Sequence, residues 1–260
     1  MKILPATFLV LSSLLAWGQT PKAQPTARPR IMLDPGHGGD DAGARGPKRV
    51  PILEKDAALD LALALGRCLR EAGFEVSFTR SEDVFIPLWD RAKKANEAGA
   101  DLFLSLHLNA ARTRGARGSE VYFLSLGAGD ADAAALAAAE NAGGGAQPGG
   151  DVVASILDDL AQKAYLQDSE RLALAIQGQL NALGGIKQRG VKQAPFVVLR
   201  AAAMPAVLVE TAFISNPKEA AKLRDPAFRR QVAQSITRGV QRFLAGGAAT
   251  ARRRAATQAR

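Results

Sequence analysis

The sequence predicts a single α/β domain, a mostly parallel, twisted sheet of about six strands with helices on both faces. Two observations carry that expectation. Short apolar runs alternate with amphipathic helical stretches from residue 30 to about residue 245, the pattern of successive strand–helix units. No internal repeat and no boundary interrupts that span, and 260 residues suit one large domain. Hydrophobic residues at 47% and charged residues at 23% exclude wholesale disorder. Aromatics at 5% leave the core to Leu, Val, Ile and Ala.

The elements follow in order. Lys2 precedes an apolar stretch from Ile3 to Trp17, and Ala16-Trp17-Gly18 offers small residues at both ends of a cleavage triplet, so residues 1–18 read as an export signal. The stretch is short against the roughly 20 apolar residues of a membrane span, and Pro5, Ser12 and Ser13 weaken it as an anchor. An uncleaved anchor and a buried helix are the alternatives. No cysteine follows it, which excludes a lipoprotein. An exported protein of the periplasm or cell envelope is expected, with no stable membrane span after cleavage. Residues 19–29, with three prolines, read as a linker. Strands are expected at Arg30–Asp34, Glu75–Arg80, Leu102–His107, Ser119–Leu124, Pro195–Leu199 and Ala206–Glu210. Helices are expected at Leu53–Gly73, with Leu61, Leu65 and Leu69 on one stripe, at Leu88–Ala98, and from Pro226 to Leu244. Residues 246–260 read as a disordered basic tail. Residues 125–167 show no strand signal and read as a helical insertion, two helices around a glycine-rich loop, of the length that serves as a lid or as decoration.

The net charge of +9 suggests a nucleic-acid partner, but its placement argues against one. Without Lys2, Arg252, Arg253, Arg254 and Arg260, the body carries 29 basic against 25 acidic groups, a net +4. Basic ends on a balanced body suit attraction to an anionic polymer better than a nucleic-acid face. One cysteine, Cys68, excludes an intramolecular disulfide framework and any multi-cysteine zinc site. It lies on the apolar face of its helix and reads as core.

The chain has only two histidines, His37 and His107, each at or just past the C-terminal end of an expected strand. That edge of an open α/β sheet is where ligands bind. Glu54 opens the first long helix, where a carboxylate also suits the helix dipole. Glu210 closes a strand whose Val207, Leu208 and Val209 should be buried, a placement that makes sense if it faces a cleft. Two histidines and one glutamate with an open position form the ligand set of a catalytic zinc, and a second glutamate can act as base on the activated water.

The stretches DPGHGGDDAGARG (34–46), LEKDAALDLALALGRCL (53–69), TRSEDVFIPLWDRAKKAN (79–96), ADLFLSLHLNA (100–110) and VLVETAFISNP (207–217), with KQAPFVVLR (192–200), resemble the zinc-dependent N-acetylmuramoyl-L-alanine amidases of the bacterial cell wall, the type 3 amidases. The resemblance runs through nearly all of 31–245. It implies His37, Glu54 and His107 as zinc ligands, Glu210 as the catalytic glutamate, one Zn2+ per chain, and peptidoglycan as substrate. The rival readings are a zinc peptidase or deacetylase on a similar sheet, a non-catalytic wall-binding module and a nucleic-acid binder. Among the remaining motif residues, Arg80, Asp83 and Arg91 are expected to form ion pairs around a loop, and Asn96 to end its helix. Asn109 meets substrate or caps a turn. Asp40 and Asp41 are expected in solvent, with a bond to a ligating histidine open to either. Division-associated members of the resembled family carry a helix whose glutamate fills the open zinc position until an activator withdraws it, which implies a LytM-like partner. Here Glu140-Asn141 matches that pattern while Asp130 and Asp132 lie nearest in register, so all three carboxylates are candidates. Seven of the nine residues 131–139 are alanine, so this helix should form readily and dock weakly.

Overall fold

A computed structural model describes residues 28–113, 115–143 and 152–258. The expected export signal and most of the expected linker lie outside these residues. Six strands form one sheet: β1 (Arg30–Pro35), β2 (Glu75–Phe78), β3 (Leu102–Asn109), β4 (Ser119–Leu124), β5 (Gln188–Ala194) and β6 (Ala206–Phe213). Their order is β2-β1-β3-β6-β4-β5, and every pairing is parallel except β4 against β6. The single mostly parallel α/β domain is as the sequence predicts.

The central strands β3 and β6 are buried along their whole length, as expected of strands covered on both faces. Alternation along them sorts the core into two layers. Leu102, Leu104, Leu106, Val207 and Val209 face one layer, which is closed by α1 (Glu54–Glu71), α4 (Val152–Asn181) and α7 (Pro226–Gln258). Phe103 and Leu208 face the other, closed by α2 (Leu88–Glu97), α3 (Ala131–Asn141) and the short α5 (Val197–Arg200). Ser105, His107, Asn109 and Glu210 share that second side by the same two-residue period. The first layer is mainly hydrocarbon. The second trades it for polar groups toward the C-terminal ends of the strands.

α1 shows how sequence sets these elements. Glu54 and Asp56 suit its first turn, Leu61, Leu65 and Leu69 form the buried stripe, and Gly73 at φ +92° stops it. α6 (Pro217–Leu223) begins at Asn216, whose side chain accepts from the Lys218 and Glu219 N–H groups.

Three expectations are corrected. The apolar run Pro195–Leu199 is not a strand; Phe196, Val198 and Leu199 are buried where α5 packs over the second layer. The strand lies just before it, as β5, a sheet edge whose QRGVKQA sequence lacks an apolar run because only Ala194 is fully buried. α4 runs on to Asn181, with Leu172, Ala173, Ile176 and Leu180 in the main core, so residue 167 is not the end of an insertion. α7 continues to Gln258 where a disordered tail was expected from residue 246, since the alanine- and arginine-rich stretch is made of strong helix formers.

Candidate metal centre and its surroundings

Four side chains converge at the C-terminal edge of β1, β3 and β6. His37 follows β1 in a tight loop, and its backbone sits at φ +57°, the left-handed region. There is no spare room around it. A Cβ on Gly36 would come within 2.4 Å of the His107 ring, and one on Gly43 within 2.6 Å of the His37 ring. Those two glycines let the imidazoles close in from opposite sides. The rings stand 5.0 Å apart, edge to face.

Glu54 lies between them. Its Oε1 is 3.2 Å from His37 Nε2 and 3.2 Å from His107 Nδ1. The carboxylate is held by backbone donors, Oε1 accepting from Leu108 N at 3.0 Å and Oε2 from Ala44 N at 2.9 Å. Glu140, near the C-terminus of α3, meets the same two rings. Its Oε2 is 3.0 Å from His107 Nδ1 and 3.4 Å from His37 Nε2. Ligand atoms from His37, Glu54, His107 and Glu140 all lie within 4.8 Å of one another, a grouping that could hold a metal ion. The donor set fits zinc, which takes imidazole nitrogen and carboxylate oxygen in tetrahedral sites. His37 Nε2 is buried and makes no hydrogen bond, although two carboxylates stand beside it. A nitrogen left in that state fits a metal ligand.

A profile model described as N-acetylmuramoyl-L-alanine amidase matches residues 31–242. The chain belongs to that amidase family. It is 43% identical over 222 residues to the amidase AmiC of Neisseria meningitidis, covering 84% of this chain and 53% of that protein. It is 39% identical over 227 residues to AmiA of Escherichia coli K12, covering 85% and 78%. The chain thus spans about half the length of the AmiC relatives. Among solved structures, an N-acetylmuramoyl-L-alanine amidase from Clostridium difficile 630 superposes with a TM-score of 0.64 at 29% identity, covering 84% of this chain and 97% of that one.

Around this amidase-family centre, Asp34 anchors the histidine loop. It is fully buried and accepts from Thr79 Oγ1 at 2.6 Å, Ser105 Oγ at 2.7 Å and Arg91 Nη1 at 3.0 Å. Arg91 also donates to the Pro35 carbonyl at 2.8 Å and the His37 carbonyl at 3.0 Å. Arg80 grips backbone rather than a carboxylate, donating to the Pro35, Gly36, Lys55 and Glu82 carbonyls. Asp83 pairs with Lys55 at 2.7 Å and accepts from Gly39 N. Asp41 is not a free surface charge; its Oδ2 meets His37 Nδ1 at 2.9 Å and fixes that ring, while Asp40 is exposed. Asn96 ties α2 to the loop between α5 and β6, donating to Ala201 O and accepting from Ala203 N. Cys68 is buried as expected.

Burial works against charge on both histidines, yet the neighbouring carboxylates of Glu54 and Glu140 more than offset it. The pKa of His37 is raised and that of His107 is raised well above the ordinary imidazole value. Glu54 is also penalised by burial, but the two imidazoles hold its carboxyl far below the usual range. Glu210 stands beside His107 in the β3–β6 register. It is fully buried, neither carboxylate oxygen has a hydrogen-bond partner, and burial with repulsion from Glu54, Glu140 and Glu120 pushes its pKa well up.

Of the three candidate carboxylates on the α3 segment, only Glu140 reaches the histidines. Asp130 caps α3, accepting from Ala133 N, and pairs with Lys192 at 3.1 Å. Asp132 is 80% exposed and lies 3.5 Å from Arg189. The helix period explains the outcome, since Ala133, Leu136, Ala137 and Glu140 share the inward face. Asn109 is buried, with Nδ2 3.5 Å from Glu120 Oε2. Sequence reasoning missed Glu120, a buried carboxylate that accepts from Tyr122 and Arg189. A charged residue within the apolar run SEVYFL was the signal.

Proposed function

We propose that this chain is an exported zinc hydrolase that cleaves the amide bond between N-acetylmuramic acid and L-alanine in peptidoglycan. The observation that carries this reading is the convergence of His37, Glu54 and His107 beside a buried Glu210 with no hydrogen-bond partner. His37, Glu54 and His107 would hold the zinc, which supplies an activated water and polarises the scissile carbonyl. Glu210 takes a proton from the attacking water and delivers it to the alanine nitrogen as the C–N bond breaks. Its raised pKa suits a group that must accept a proton and then give it up.

Glu140 then acts as a plug. With α3 docked, its carboxylate fills the position beside the histidines that water and substrate need. A partner protein, a LytM-like activator, would withdraw the helix. Export rests on residues 1–18, and among the described residues no helix is long and apolar enough to cross a membrane. The net charge of +9 favours association with a carboxylate-rich wall.

Digestion of purified sacculi, with metal analysis, tests the assignment. Wild type should release intact stem peptides from glycan strands, and Glu210→Ala should retain zinc while losing about a thousandfold in rate. Cleavage inside the peptide, or loss of acetyl groups, would refute the assigned bond. Retained activity in Glu210→Ala with normal zinc would refute the assigned base.

A further inference from the structure

A cavity of about 760 Å³ lies between α3 and the ends of β3 and β6, lined by Asn109, Glu120, Tyr122, Asp132, Arg189 and Phe213 among others. Its wall toward β5 is irregular. Ser119 pairs with Gln188 but Glu120 pairs with Gly190, so Arg189 is an extra residue in the ladder. Such bulges re-aim side chains, and they are rare between parallel strands. This one brings Arg189 and Lys192 onto the same buried carboxylate. Arg189 Nε donates to Glu120, and Lys192 Nζ lies 3.6 Å from its Oε1. The Arg189 guanidinium is braced over the Phe213 ring, 5.0 Å from its centroid.

One buried carboxylate therefore serves two cations. The other carboxylates that meet them, Asp130 on Lys192 and Asp132 on Arg189, sit at the N-cap and in the first turn of α3 and are 48% and 80% exposed. Once α3 is displaced, Glu120, Arg189 and Lys192 are left with one excess positive charge beside the cleft. The two donor side chains, Arg189 and Lys192, are already oriented by Glu120, a setting in which a charged hydrogen bond forms with little ordering cost.

We propose that Arg189 and Lys192, gathered on Glu120, form a subsite for a carboxylate of the stem peptide, and that Asp130 and Asp132 stand in for that carboxylate while α3 is docked. The proposal rests on the peptidoglycan reading above and adds to it a specificity determinant and a second grip for the helix. α3 thus mimics substrate at one end and plugs the metal centre with Glu140 at the other.

The test uses the full-length, zinc-loaded protein and a soluble N-acetylmuramoyl tetrapeptide, compared with the same compound amidated at one carboxyl at a time. The wild type should favour the free acid about tenfold in kcat/KM at one of these positions, the value of one charge-assisted contact. That ratio cancels any effect of how often α3 is docked, because each ratio is taken on one enzyme. In Lys192→Gln and in Arg189→Gln it should fall toward one, and in Arg189→Lys part of it should return. Binding of the free tetrapeptide by calorimetry, which needs no hydrolysis, should weaken on amidation of the same carboxyl and tighten several-fold in Asp130→Asn with Asp132→Asn. Asparagine keeps the helix cap, so that double variant stays folded. Equal rates and equal binding for acid and amide in the wild type overturn the subsite, as does an unchanged ratio in both cation variants. Unchanged binding in the double asparagine variant overturns the mimicry. Selective peptide binding without hydrolysis would instead overturn the amidase reading and leave the subsite standing.

Discussion

Two carboxylates meet the same pair of imidazoles, and they are held in opposite ways. Glu54 sits at the start of an 18-residue helix packed into the main core, is 2% exposed at its side chain, and accepts from two backbone N–H groups. Glu140 is 14% exposed and rides on α3, which buries only Ala133, Leu136 and Ala137. The histidine loop resembles Glu54 in this respect, clamped by Arg80, Arg91 and Asp34. α3 relies on Asn141, which bonds Pro195 O and Val197 N, and on half-exposed ion pairs. Exposed pairs contribute little, roughly 0–1 kcal/mol each. The lesson is that similar distances to a centre can hide very different commitments to it: one carboxylate belongs to a helix packed into the main core, the other to a lightly packed one.

Matched substitutions give the largest effect. Glu54→Gln should weaken zinc binding by more than about a hundredfold and abolish sacculus digestion, if Glu54 is the ligand proposed above. Glu140→Gln should keep zinc and raise basal digestion several-fold. If both variants behave alike in metal analysis, the contrast fails. Next in size, Arg91→Ala leaves the fully buried Asp34 without its cation and should cost about 3–5 kcal/mol in denaturant unfolding. Asn141→Ala, on the α3 side, should cost no more than about 1 kcal/mol. Comparable losses would mean α3 is as integral as the loop.

The smallest effect concerns pH. In metal-free protein both imidazoles have raised pKa values, so their contribution is full below the ordinary 6.5 and is lost as pH climbs through the raised values. Glu210, also raised, changes in the same direction above its ordinary 4.5. Glu54, depressed, contributes fully above 4.5 and loses that progressively as pH falls below 4.5. Zinc binding runs the other way, strengthening as protons leave the imidazoles. The gap in Tm between zinc-loaded and metal-free protein should therefore widen from pH 6 to pH 8. A gap that narrows over that range would contradict the assigned ligands.

The legible parts of this molecule are those whose burial leaves a mark on composition. β1, β3 and β6 announce themselves as apolar runs because both faces are covered, and His37, His107 and Glu210 stand out at the ends of those runs. β5 is silent because an edge strand needs few apolar residues, and its neighbour Pro195–Leu199 looked more strand-like for being better buried. Glu140 was recoverable from the helical period that starts at Ala133, whereas nearness in register favoured Asp130 and Asp132. The pairing of Arg189 with Glu120 was not recoverable. A bulge is a property of two strands together, and neither strand alone encodes it.

The backbone at His37 carries a consequence of its own. A non-glycine residue at φ +57° costs about 1 kcal/mol relative to glycine, and here it is tolerated under two buried arginines. Folding alone would prefer glycine at this position. A library selected only for heat resistance, with no demand for activity, should drift to His37→Gly and yield a sturdier, inert protein. The left-handed turn is a place where durability and chemistry compete for one codon.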